Sequence, residues 1–270
     1  MVGLRTECEI VTMCSQNRGV MDTKLAVVIM AAGKGTRMNN PELAKVMYTV
    51  DGKPMVDHVI DLAVRLKSSR TVVIVGWQKE SVMNHFRQSG KPVICVEQSP
   101  QLGTGHAVMQ AKRPLEDFVG DVLVLSGDVP LLSEKTTLGL IALHRESGAS
   151  ATVLTAILED PTGYGRILRD AQGHVVGIVE QKDANDQQKE ILEINSGIYL
   201  FRKDRLFEGL KHITPENAQK EYYLPDVFQY FWRNKYPVRA VPADDPMEIR
   251  GVNTLQQLDE ARAAYAQRAG

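Results

Sequence analysis

The chain has 270 residues, 43% hydrophobic and 24% charged, with 32 Lys and Arg set against 33 Asp and Glu for a formal net charge of −1. A chain this long buries roughly three-quarters of the surface it would expose unfolded, so it needs no staples, and it is too apolar for a disordered tail. Near-neutral charge argues against a general nucleic-acid or membrane-surface binder while leaving room for local basic pockets. Cys8, Cys14 and Cys95 form no CxxC pair and are too few for a disulfide framework, which fits a reducing compartment. The longest apolar run, Leu25 to Ala32, is far short of the ~18 residues a membrane span needs. Val2 to Val20 lacks the apolar core of a secretory signal. A cytoplasmic protein is expected.

Residues 1–23 show no period and read as an N-terminal extension, with Met21 a candidate natural start. Leu25–Met30 then reads as a buried strand closed by a Gly-rich loop. Pro54–Lys67 carries apolar residues at helical spacing. Thr71–Val75 reads as a strand, Gln78–Gln88 as a helix, Pro92–Val96 as a strand, Thr104–Leu115 as a helix and Asp121–Leu125 as a central strand. Ser133 is placed to cap a helix over Glu134–Glu146, which Gly148 ends. After residue 150 the text becomes strand-rich: Ala151–Leu158, Arg166–Arg169, His174–Val179 and Gly197–Phe201. Helices are expected over Tyr223–Asn234 and Thr254–Arg268. The alternation predicts an α/β fold, a mostly parallel sheet with one domain over residues 24–254 and a C-terminal helix over 255–270.

In open α/β sheets ligands bind beyond the carboxyl ends of the strands. After the first strand comes Ala31-Ala32-Gly33-Lys34-Gly35-Thr36-Arg37-Met38. Its glycines let the backbone approach a ligand, and Lys34 and Arg37 suit phosphate oxygens. The same text also suits an ordinary βα turn. It is neither a dinucleotide fingerprint, since Met38 stands where a glycine is needed, nor a Walker A loop, since no Gly-Lys is followed by Ser or Thr. Asp128, at the end of the strand Asp121–Leu125, is placed either to hold Mg2+ or to close an Asx-turn. His106 has no second ligand at zinc spacing and reads as packing or capping its helix. No nucleophile elbow or triad is present.

In combination these segments resemble the sugar-phosphate nucleotidyltransferases, and among them the uridylyltransferases that make UDP-N-acetylglucosamine. The resemblance rests on Ala31–Met38, Gln101-Leu102-Gly103-Thr104-Gly105-His106-Ala107, Gly127-Asp128-Val129-Pro130-Leu131, Asp160–Ile167 (DPTGYGRI), Val179-Glu180, Glu193-Ile194-Asn195-Ser196-Gly197, Glu221-Tyr222-Tyr223 and Gly251-Val252-Asn253. It covers about residues 24–260. It implies a Rossmann-like, mostly parallel mixed sheet with helices on both faces and a strand-rich sugar-binding lobe. UTP is then expected along Ala31, Ala32, Gly33, Gly35 and Thr36, with Gln98 and the Ala-Ala-Gly backbone on the uracil edge and Gly103 and Thr104 beside base and ribose. By the same resemblance Arg37 and Lys45 hold the phosphates, Asp128 and Asn253 hold Mg2+, and Gly165, Glu180, Asn195 and Tyr222 hold the sugar.

The implied reaction moves UMP from UTP to N-acetylglucosamine 1-phosphate. Glucose 1-phosphate with UTP or dTTP is the second reading, and a nucleotide-sugar-binding regulatory protein the third. Two departures from the family stand out. Ala44 replaces the usual proline before Lys45, which predicts a looser loop, and Ser126 stands where some members carry an aromatic. No β-helix acetyltransferase domain is expected after the last helix. No nucleic-acid or membrane partner is expected, and the sequence leaves the oligomeric state open.

Overall fold

The structure is a computed structural model and describes residues 23–38, 40 and 42–269. The expected extension therefore lies outside the described residues except for Thr23, as do Met21, Cys8 and Cys14.

The chain begins with β1 (Leu25–Ala31), the hairpin β2 (Thr49–Val50) and β3 (Lys53–Pro54), and helix α1 (Met55–Arg65). β4 (Arg70–Val75), α2 (Lys79–Ser89), β5 (Ile94–Glu97), α3 (Thr104–Met109), β6 (Asp121–Ser126) and α4 (Glu134–Glu146) follow. The second half holds β7 (Ala151–Ile157), β8 (Gly165–Arg169), β9 (Val175–Val179), α5 (Asp186–Lys189), β10 (Glu193–Arg202), α6 (Lys203–Gly209), α7 (Val227–Arg233), β11 (Val238–Pro242) and α8 (Leu255–Ala269).

The sheet runs β11-β7-β10-β6-β1-β4-β5, and β8 and β9 extend it from β10. β1 lies parallel between β4 and β6, and β4 pairs parallel with β5. β10 runs antiparallel to both β6 and β7, and β11 returns parallel to β7. The expected mixed α/β sheet is therefore present.

β1 shows why both faces are covered. Side chains alternate across a strand. Leu25, Val27 and Ile29 pack with Val56 and Ile60 of α1, Phe86 of α2 and Leu140 of α4. Ala26 and Val28 pack on the other face with Val108 of α3, Leu206 of α6 and Phe228 and Phe231 of α7. A continuous apolar run is what a strand buried on both faces requires. α8 is seated by a third cluster, in which Leu258 and Ala261 meet Met38, Val50, Met55, Leu131 and Val252.

The structure corrects several boundaries. The helix expected to reach Leu115 ends at Met109 and continues as a 3-10 turn over Gln110–Lys112, just before Pro114. The helix expected from Tyr223 opens as a 3-10 turn, Leu224–Asp226, with Pro225 in its first turn, and becomes α-helical only at Val227. β10 starts four residues before the expected Gly197, at Glu193, and its register shifts between Asn195 and Tyr199.

Candidate active site

The carboxyl ends of β1, β5 and β6 open onto a cleft of about 470 Å3 lined by Ala31, Ala32, Gly33 and Lys34 from one loop and by Gln98, Gln101, Gly103 and Thr104 from another. Lys45, Ser126, Asp128 and Glu221 complete its wall. Close approach shapes the loops. Gly103 has φ +102°, and a Cβ there would meet the Tyr222 carbonyl at 2.7 Å and the Glu221 Cβ at 2.8 Å. Tyr222 clamps that segment, its N–H donating to Leu102 O at 2.8 Å and its carbonyl accepting from Gly105 N–H at 2.7 Å. Gly35 has φ +60°, and its missing Cβ leaves room for the aliphatic stem of Lys45.

At the mouth of β6 the ammonium of Lys45 donates to an Asp128 carboxylate oxygen and, at 2.9 Å, to the amide oxygen of Asn253. Val252 N–H donates to the Asp128 carbonyl at 2.9 Å, which ties the loop before α8 to the end of β6. Gly251 lies beside this group, since a Cβ there would make ordinary contacts of 3.7 Å with both Asp128 carboxylate oxygens and 3.6 Å with the Asn253 amide nitrogen. Lys45 and Asp128 side chains are only 14% and 15% exposed, so their charges meet in a partly dehydrated setting.

Two hard oxygen donors, one anionic and one neutral, thus converge on a single cationic centre. That is the donor chemistry a small divalent ion requires, so the residues fit the expected Mg2+. Among the described residues no group of three or more His, Cys, Asp and Glu forms a metal cluster. An Asp–Asn pair would leave such an ion open to water and substrate phosphates, the usual arrangement for Mg2+.

Beyond β10 lies the second group of expected residues. Asn195 pairs with Gly165 across β10 and β8, and Val179, just before Glu180, pairs with Arg166. A Cβ on Gly165 would stand 3.2 Å from Glu180 Oε1 and 3.3 Å from Asn195 Cβ, so the three form one patch. Asn195 Nδ2 donates to the buried Tyr199 hydroxyl at 2.7 Å. Burial, and next the charge of Asp226, push the Glu180 carboxyl above its usual range. Burial and the neighbouring Asp183 raise Asp226 to about 6.

Arg37 and Thr36 sit exposed on a 3-10 turn, Thr36–Met38, and are not among the cleft-lining residues, whereas Lys45 lines the cleft. Tyr222 is not among the residues lining the cleft that holds Glu180. Its main chain clamps the Gly103 segment, and Tyr223, one residue on, shares a cleft with Glu180 and Asp226. Gln101 was missed as a site residue although it lies in the QLGTGHA phrase. It lines the cleft, and its amide packs where a Cβ on Gly76 would be. His106 does more than pack its helix, since Nδ1 lies 3.2 Å from the Gln98 amide. Ala44 is buried at φ −59° and ψ 134°, a conformation that proline would also adopt, so the substitution leaves the local backbone geometry proline-like.

Residues 26–247 match the family described as Nucleotidyl transferase. The bifunctional protein GlmU of Heliobacterium modesticaldum is 46% identical over 245 residues, which is 91% of this chain and 53% of that protein. GlmU of Listeria monocytogenes is 45% identical over 239 residues, 88% of this chain and 51% of that protein. The chain thus spans about half the length of the curated relatives it matches. A crystal structure of UDP-glucose pyrophosphorylase complexed with UDP-glucose superposes with a TM-score of 0.74 at 18% identity, covering 91% of this chain and 99% of that one. Among the described residues no helix is long and apolar enough to cross a membrane. With the family match spanning most of the sheet and the loops at its carboxyl edge, this chain belongs to the nucleotidyl transferase family.

Proposed function

We propose that this chain transfers UMP from UTP to N-acetylglucosamine 1-phosphate, releasing pyrophosphate and forming UDP-N-acetylglucosamine, with Mg2+ as the required ion. The observation that carries the reading is the meeting of Lys45, Asp128 and Asn253 at the carboxyl edge of the parallel sheet, beside a glycine-lined cleft. The choice of base and sugar follows the resemblance carried by the QLGTGHA, DPTGYGRI and Glu193–Gly197 phrases, and the similarity to a GlmU protein over 91% of this chain supports nucleotidyl transfer.

The chemistry asks little of a base. A phosphate monoester has a second pKa of about 6, so the attacking oxygen is largely deprotonated at neutral pH. The difficulty lies in bringing two anions together and in line, which is a matter of positioning and charge. Lys45 supplies a cation to the cleft wall, and Lys34 lines the same cleft with its ammonium 5.5 Å from the Trp77 ring centroid. Arg37, on its exposed turn, is available to the outer phosphates. Asp128 and Asn253 would hold Mg2+, which when bound neutralises phosphate charge and orients the leaving pyrophosphate. Gln98 and the Ala31-Ala32-Gly33 backbone face the uracil edge, with Gly103 and Thr104 at base and ribose. Gly165, Glu180 and Asn195 accept and donate to the sugar hydroxyls and N-acetyl group.

The test is pyrophosphate release with UTP and a panel of sugar 1-phosphates, with and without Mg2+. Turnover is expected with N-acetylglucosamine 1-phosphate and is lost when the ion is chelated. Faster turnover with glucose 1-phosphate would overturn the sugar assignment, and binding of UDP-sugars without pyrophosphate release would overturn the enzymatic one.

A further inference from the structure

Gln98 is 3% exposed, and its side-chain amide is held at two points. One end lies 2.9 Å from the main-chain carbonyl of Gly103. A carbonyl only accepts, so that end is the NH2 group. The same nitrogen lies 3.2 Å from His106 Nδ1. Its two hydrogens therefore have two places to go, provided Nδ1 carries a lone pair. The opposite end, Oε1, has no hydrogen-bond partner among the described residues and belongs to a side chain that lines the nucleotide cleft.

We propose that His106 is a positioning residue for base selection: as a neutral, Nδ1-accepting imidazole it locks the Gln98 amide so that only its oxygen is presented to the base. This rests on the proposed seat of the nucleobase beside Gln98. A uracil ring offers an N3–H donor, which an amide oxygen accepts. Cytosine offers a lone pair at N3, which the same oxygen repels. Were Gln98 free to turn its NH2 outward, the preference would weaken or reverse, since a buried donor facing a donor is left unpaired.

The burial of the ring fits this tautomer, and Gln110 has to turn to fit it. Burial holds the His106 imidazole below its usual pKa, so it stays neutral at physiological pH. With Nδ1 accepting, the proton is on Nε2, which lies 3.1 Å from the amide of Gln110. Gln110 also reaches the His106 carbonyl at 3.0 Å. Both contacts are made by its NH2, whereas a protonated Nε2 calls for an acceptor. Gln110 is half-exposed, so its amide can leave the His106 carbonyl to water and turn its oxygen to Nε2, while the buried Gln98 has no such freedom. The Tyr222 ring lies near that of His106, with centroids 6.4 Å apart and planes inclined at 36°.

The experiment is calorimetric titration of UTP and of CTP into the full chain, with melting curves alongside, for the parent, His106→Asn and His106→Ala. Binding reads the base alone and needs no sugar. The parent is expected to prefer UTP. His106→Ala should lose at least tenfold of that preference, whereas His106→Asn, whose Oδ1 can accept where Nδ1 did, should stay within threefold of the parent. Should the Ala variant fail to fold, His106→Leu keeps the bulk without the lone pair and takes its place. An unchanged preference in the Ala or Leu variant, or equal loss in Asn and Ala, would overturn the role of His106 and leave the proposed function standing. A parent that binds UTP and CTP alike, or neither, would remove the proposed seat of the base and the inference with it.

Discussion

Lys45 and Asn253 lie 208 positions apart in the chain, yet the lysine ammonium donates to the asparagine amide oxygen across 2.9 Å. Nothing local brings them together. Lys45 opens a short 3-10 turn, and Asn253 ends the loop before α8, itself tied to the end of β6 through Val252 and Asp128. Asp128 is the anion of the Lys45–Asp128–Asn253 group, and Asp128→Ala removes it. Turnover is expected to fall by a hundredfold or more, about 2.7 kcal/mol of barrier, as for the loss of one strong electrostatic contact. Steady-state pyrophosphate release at saturating UTP checks it.

Gly103→Ala tests the nucleotide loop without touching a charge. The new Cβ would sit at φ +102° and collide with the Tyr222 carbonyl and the Glu221 stem. A strained backbone of this kind costs roughly 1–3 kcal/mol. Weaker UTP binding is expected together with a lower melting temperature.

Ala44→Pro should stabilise the protein. Ala44 has φ −59°, which a proline ring would fix, so the gain comes from a less free unfolded chain, about 0.4–1 kcal/mol. A denaturant midpoint that moves up with an unchanged slope is the expected result.

Asp226 links stability to pH. Its folded pKa is about 6 against an ordinary 3.8, raised first by burial and then by Asp183. Folding therefore favours the protonated acid. The stability this contributes is full below the unfolded value and is lost as pH rises through about 6. Asp226→Asn, always neutral, is expected to melt higher than the parent at about pH 8 and to lose that advantage at about pH 4. Melting curves at both pH values decide it.

Ser133→Ala serves as a fold control away from the site. Ser133 caps α4, its Oγ accepting from Thr136 N–H at 3.1 Å. Loss of a cap of this kind costs about 1 kcal/mol. Stability should fall by that amount while turnover is unchanged.

Much of this was legible in the sequence. β1 is readable because a strand buried on both faces must be apolar throughout, and α4 because Ser133 and Gly148 mark its ends. The glycine-bearing loops follow from position alone, at the carboxyl ends of strands. What escaped were elements held by tertiary contacts. β11 is a half-exposed edge strand containing Arg239 and ending in Pro242, so it has neither an apolar run nor a clean alternation. α6 is only seven residues long, too short to show a period. Within the site, Tyr222 and Tyr223 cannot be told apart by composition. Their neighbours decide which is turned to the glycine loop and which to Glu180. The link from His106 to Gln98 is likewise a matter of geometry across eight positions that no motif spells out.

β10 has a mechanical consequence. Its C-terminal half is hydrogen-bonded to β6, which leads into Asp128, while its N-terminal half pairs with β8 and carries Asn195 of the proposed sugar patch. The two proposed pockets are therefore mounted on one continuous beam rather than on separate bodies joined by a linker. The beam's one irregularity is the register shift between Asn195 and Tyr199, where Gly197 sits at φ +78°. A side chain at Gly197 would strain the backbone at that joint, and the strain would fall on the strand that the two proposed pockets share.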